Sequence, residues 1–139
     1  MARKETRETF GLRDIYGFKE QYDITLACGF EPEVDRGCTG RFPFYDAIDD
    51  VVNKLGKRIF LPHRHVDLNW PLEKIVGIIN GIVIPTSDLV IGYLGVDSSA
   101  GGIMIGAALA IGITVSYLYE ESVGLDNLSC RIKEVNIET

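Results

Sequence analysis

Short apolar runs alternate with amphipathic stretches along the chain, the arrangement of a parallel sheet covered by helices on both faces. The first run, DITLACGF, predicts a strand from Asp23 to Phe30 that ends close to a glycine. A polar stretch, EPEVDRGCTGR, follows it and is long for a strand-to-helix connection, which makes it a candidate functional loop. A helix is predicted from Pro43 to about Leu55: Pro43 suits the first turn, Phe44, Ala47, Ile48, Val51 and Leu55 share one face, and Gly56 suits the position just past the end. The run KRIFLPH predicts strand two, from Lys57 to about Pro62.

A second helix is predicted to start near Pro71 with Asn69 as its cap, to bury Leu72, Ile75, Val76 and Ile79, and to end at Pro85. DLVIGYL, Asp88 to Leu94, is a nearly continuous apolar run, as expected of a strand buried on both faces. The segment DSSAGGIMIGAA then leads into an alanine-rich helix to Ile111, Gly112 stops it, and ITVSYLY, Ile113 to Tyr119, predicts strand four. The tail LSCRIKEVNIET reads as a short helix or a fifth strand. Residues 1–22 are charged but carry Phe10, Leu12, Ile15, Tyr16 and Phe18, enough to dock as a helix on this domain or on a partner subunit. The pattern predicts one α/β domain over 23–139, a doubly wound, flavodoxin-like parallel sheet of order 2-1-3-4-5 in three α/β/α layers. In such a sheet the order reverses between strands one and three, and ligands bind beyond the carboxyl ends of those strands. The loops there are CGFEPEVDRG and GVDSSAGG.

Length and charge narrow the picture. A chain of 139 residues with 46% hydrophobic content suffices for one domain with a real core. A net charge of −6 argues against a nucleic-acid surface, which needs clustered Lys and Arg. From Ser98 to Tyr119 no residue is charged, a length that meets the threshold for a membrane span. Gly101, Gly102, Gly106 and Gly112 interrupt that run, however, and β-branched residues concentrate only after Gly112, so a buried helix followed by a buried strand is expected and no membrane partner. The three cysteines, Cys28, Cys38 and Cys130, form no CxxC pair, and the charged N-terminus has no apolar signal core; both fit reduced thiols and a cytoplasmic location.

The candidate chemistry gathers at the loops of the switch point. Ser98 and Ser99 carry hydroxyls for a phosphate, the backbone N–H groups of Ala100, Gly101 and Gly102 open a helix, and the small residues allow close approach. The same residues would also serve as a helix cap with tight packing behind it. In LPHRHVDLNW, alternation along a strand would bring His63, His65 and Asp67 to one side, as polar lining of the site's mouth or as imidazoles for proton transfer; a metal set is the lesser reading, and no metal or other cofactor is expected. Cys28 reads as a packed thiol next to Gly29 and Phe30, and Asp97 sits where chemistry could use it.

The order LACGF, helix, IFLPH, helix ending in SDLVIGYL, then SSAGGIMIGAALAIGITVSYLY resembles the nucleoside 2-deoxyribosyltransferase superfamily over about Asp23 to Lys133, nearest the small 2′-deoxynucleoside 5′-monophosphate N-glycosidases. The resemblance implies a flavodoxin-like sheet, a homodimer, and cleavage of the bond between base and deoxyribose by an attacking glutamate positioned by an aspartate. Against the family's loop, Ser98, Ala100, Gly102, Met104 and Gly106 occupy the places of Ser-x-Gly-x-Gly-x-Glu-x-Gly, so the glutamate has become Met104. The aspartate falls on Asn80, and a strand-one tyrosine falls near Leu26. Ser98 matches the family's phosphate contact, and Ser129 resembles a serine that reaches the phosphate from the neighbouring subunit.

Methionine can neither form the glycosyl–carboxylate intermediate nor act as a base. The expectation is therefore a protein that binds a nucleotide or sugar phosphate at Cys28, Gly29, Phe30, Asn80, Ser98 to Gly102, Met104 and Ser129 without the glutamate chemistry. The alternatives are an N-glycosidase that activates water through Asp97, His63 or His65, and a non-catalytic interaction module.

Overall fold

The computed structural model describes residues 5–29, 42–94 and 99–118. Its sheet has four strands, β1 (Ile24–Ala27), β2 (Ile59–Phe60), β3 (Leu89–Tyr93) and β4 (Thr114–Leu118), all parallel, in the order β2-β1-β3-β4. The four predicted strands are present, each shorter than its apolar run. Phe30 and the tail lie outside the described residues.

Side chains alternate across β1, and the core divides accordingly. Leu26 belongs to a cluster with Tyr45 and Val52 of α2 (Phe42–Lys54), Ile59, Leu61 and Tyr93. Ala27 belongs to the larger cluster, with Phe60, Val90, Ile75, Ile78, Met104 and Ile105. That cluster joins the sheet to α4 (Leu72–Ile78), a π-helical turn (Ile79–Val83), α5 (Ile84–Thr86) and α6 (Ser99–Ala110). Thr25 and Ser87 add a buried polar tie: Ser87 Oγ donates to the Val83 carbonyl at 2.7 Å, which leaves the Thr25 hydroxyl to donate to Ser87 Oγ at 2.7 Å.

Three expectations for the helices are corrected. The stripe proposed as the buried face of α2 is its exposed one: Val51 is 59% and Leu55 71% exposed, with Phe44 and Ala47 also outward. Tyr45 and Val52 are buried instead: the Tyr45 ring packs against Phe42, His63 and Tyr93, and its hydroxyl donates to the Gly29 carbonyl at 3.0 Å. Next, α4 is preceded by Pro71 without a side-chain cap, the Asn69 backbone N–H donates to Asp67 Oδ1 at 2.9 Å, and Leu72 is 75% exposed. Finally, Pro85 does not end the helix. A proline ring crowds the carbonyl four residues earlier, here Gly81, and the π turn widens the helix at that point so that it continues to Thr86.

Ahead of the sheet, α1 (Arg7–Tyr16) starts at a reciprocal cap between Thr6 and Thr9 and stops at Gly17, whose φ of 66° is left-handed. Arg13, buried, binds Glu5 Oε1 at 2.7 Å and the carbonyls of Phe18 and Glu20 at 3.2 and 2.7 Å, tying both flanks of the helix together. The helix lies on Gly77 and Gly81. A Cβ at Gly77 would stand 2.6 Å from the Tyr16 hydroxyl oxygen, and one at Gly81 would stand 2.8 Å from Leu12 Cδ1.

The uncharged run divides at Gly112, with φ 80°, into α6 and β4, but the expected burial of the strand is corrected: Thr114, Ser116 and Leu118 are exposed and Val115 and Tyr117 half-buried. Among the described residues no helix is long and apolar enough to cross a membrane.

Candidate functional site

Where β1 ends, three elements meet. The first turn of α6 lies against the backbone that leaves the strand: a Cβ at Gly101 would stand 3.4 Å from the Cys28 carbonyl carbon and 3.5 Å from its Cα. The helix thus begins beside β1 although it follows β3, at a spacing that a side-chain Cβ would fill at ordinary van der Waals contact, and its N-terminus, which favours anions, lies at the switch point of the sheet. From Cys28 the chain passes to Gly29, whose carbonyl accepts the Tyr45 hydroxyl. The Tyr45 ring in turn contacts His63, with centroids 5.5 Å apart.

His63 does not lie on a strand. Pro62 starts a helical turn, α3 (Pro62–His65), so the alternation expected of His63, His65 and Asp67 is replaced by helical spacing and the three do not share a side. Among the described residues no group of three His, Cys, Asp or Glu side chains is placed to hold a metal ion. The two histidines have different partners. His65 Nδ1 accepts the Leu61 amide at 2.9 Å, and burial, reinforced by the Arg64 guanidinium, holds its imidazole below the ordinary histidine range. His63 Nε2 lies 2.8 Å from Asp46 Oδ1 of α2, and the ring stacks on Phe42 at 4.6 Å. Its side chain is only 5% exposed, while Asp46 is 48% exposed. Nδ1 of His63 is buried with no hydrogen-bond partner among the described residues. Arg64 completes the cluster, 3.1 Å from Asp49 and 3.7 Å from Asp46.

Asn80 lies in the π-helical turn, against which α6 packs, and its buried Oδ1 has no hydrogen-bond partner among the described residues. Met104, one turn into α6, is 3% exposed and packs within the larger core cluster. No family model, curated protein or solved structure matches this chain. Of the other expected site residues, Cys28 and Gly29 are buried at the end of β1, and Ala100, Gly101 and Gly102 form the first turn of α6, which begins at Ser99. Phe30, Asp97, Ser98 and Ser129 lie outside the described residues.

Sequence reasoning missed Phe42, Tyr45 and Asp46. Their signal was the start of α2 just after the first switch-point loop, which the parallel topology brings to the same end of the sheet as the residues that follow β2. In chemical terms the switch point combines a helix N-terminus with an imidazole held by a carboxylate, while the π turn and its buried amide oxygen belong to the cluster on the Ala27 side of the sheet. These can bind an anion, accept a hydrogen bond and carry a proton. Met104 offers no nucleophile.

Proposed function

We propose that the chain binds a nucleotide or sugar phosphate at the switch point of a nucleoside 2-deoxyribosyltransferase-like fold, without the attacking glutamate of that superfamily. The full fold in this proposal is flavodoxin-like, with a fifth strand from the tail, and the protein is a cytoplasmic homodimer in which Ser129 of one subunit approaches the phosphate held by the other. The observation that carries it is the seating of α6: its first turn rests on Cys28 through Gly101, so a helix N-terminus opens between β1 and β3. Ligands of open α/β sheets bind there, and anions are favoured at such helix starts. Ser98 and Ser99 supply hydroxyls next to it in sequence. In place of the family's glutamate and aspartate stand a thioether packed in the core and an amide, neither of which attacks.

The experiment is incubation with a panel of nucleoside and deoxynucleoside monophosphates, with free base followed by chromatography and thermal stability in parallel. Stabilisation without base release is the expected outcome; release of base overturns it, as does the absence of any stabilisation. A second reading, hydrolysis of the N-glycosidic bond by a relocated acid or base, draws support from the carboxylate-held imidazole of His63. Base release that is lost in His63→Ala would favour it.

A further inference from the structure

We infer that His63 Nδ1 receives a hydroxyl of the bound sugar, with Asp46 fixing the ring for that contact; this rests on the binding function proposed above and names the part of the ligand that the second end of the site recognises. Nε2 faces the Asp46 carboxylate at 2.8 Å. An ionised carboxylate only accepts, so the proton of the neutral imidazole resides on Nε2 and Nδ1 presents a lone pair. One ring face is covered by Phe42 and the Tyr45 ring lies close by, which leaves the Nδ1 edge as the imidazole's remaining polar contact. That nitrogen is buried, and no described residue donates to it. Burying an acceptor without a donor is unfavourable, and such groups in folded proteins call for a specific explanation.

The chemistry of the missing partner follows from the lone pair: it must be an O–H or N–H donor. A phosphate oxygen, an acceptor beside the Asp46 carboxylate, is excluded for the neutral ring. Position says the same. His63 follows β2, and α6 begins on Cys28 at the end of β1, the strand beside β2. Tyr45 joins the two, with its hydroxyl on the Gly29 carbonyl and its ring 5.5 Å from that of His63. A ligand with its phosphate at α6 therefore reaches His63 with its sugar hydroxyls, which inorganic phosphate alone does not.

The test uses the full chain with the imidazole nitrogens observed by nitrogen-15 NMR. Ribose 5-phosphate, the four common deoxynucleoside monophosphates and inorganic phosphate are each titrated, and binding is measured separately by calorimetry. The free protein is expected to show the Nε2-protonated form of His63, and a sugar-bearing ligand is expected to move the Nδ1 resonance upfield while inorganic phosphate does not. His63→Ala is expected to weaken the sugar-bearing ligands about tenfold, the worth of one hydrogen bond, and to leave inorganic phosphate unchanged. His63→Asn, whose amide oxygen stands near the place of Nδ1, is expected to recover part of that loss. Calorimetric binding with an unmoved Nδ1 resonance overturns this inference and leaves the binding function intact. A proton on Nδ1 in the free protein overturns it as well, and no binding by any member of the panel overturns both.

Discussion

His65 and His63 sit two residues apart and answer to different neighbours, and the difference has a measurable consequence. His65 accepts the Leu61 amide through Nδ1, which requires that nitrogen to be unprotonated, and burial lowers its pKa in the folded state. The unfolded chain, with a histidine near 6.5, therefore binds the proton at a higher pH than the folded chain does. The stability due to His65 is complete above that value and is lost as pH falls from it through the lowered folded value. Denaturation midpoints at pH 7 and pH 5 should thus differ by less in His65→Gln than in the wild type; an unchanged difference would refute the assignment. At Met104 the expectation concerns packing. Met104→Leu conserves volume and should cost less than about 1.5 kcal/mol, whereas Met104→Glu buries a carboxylate in an apolar cluster and should lower the thermal midpoint well beyond that.

Elements are positioned here largely by glycine. Gly77 and Gly81, four residues apart, form the bed of α1, and a methyl at either would overlap Tyr16 or Leu12. Gly77→Ala should destabilise by about 1–3 kcal/mol, the usual cost of overpacking. Amide exchange of α1 should accelerate more than that of β1 or β3; uniform acceleration would mean that α1 is not an independently docked element. Which face of α2 is buried was not legible in the chain, because Ile48 belongs to two overlapping stripes, one through Phe44, Val51 and Leu55 and one through Tyr45 and Val52. Likewise the apolar run through Phe60 gave no sign that Pro62 would start a helical turn and carry both histidines off the strand.

For the molecule as a whole, the proposed function has a test in restoring the glutamate and aspartate expected of nucleoside 2-deoxyribosyltransferases. Under the binding function proposed above, Met104→Glu with Asn80→Asp should gain base release from a deoxynucleoside monophosphate. If ligands still bind and no base is released, Met104 and Asn80 are not the substituted positions. The double variant is also expected to be less stable than the wild type, since Met104 lies within the larger core cluster, and its folding should be verified by thermal denaturation first.

The sequence by itself determined where the four strands and the longer helices lie, the stops at Gly56 and Gly112, and the gathering of small residues at the start of α6. Each is set by local periods and backbone preferences that act within a few residues. Only tertiary structure decided the rotation of α2, the π turn that lets a helix pass Pro85, and the pairing of His63 with Asp46, 17 positions away. Those depend on which neighbours a side chain meets once the sheet is assembled. Packing of the Tyr45 ring against Phe42, His63 and Tyr93, with its hydroxyl on Gly29, outweighs the longer helical stripe, and no periodicity along the chain encodes it.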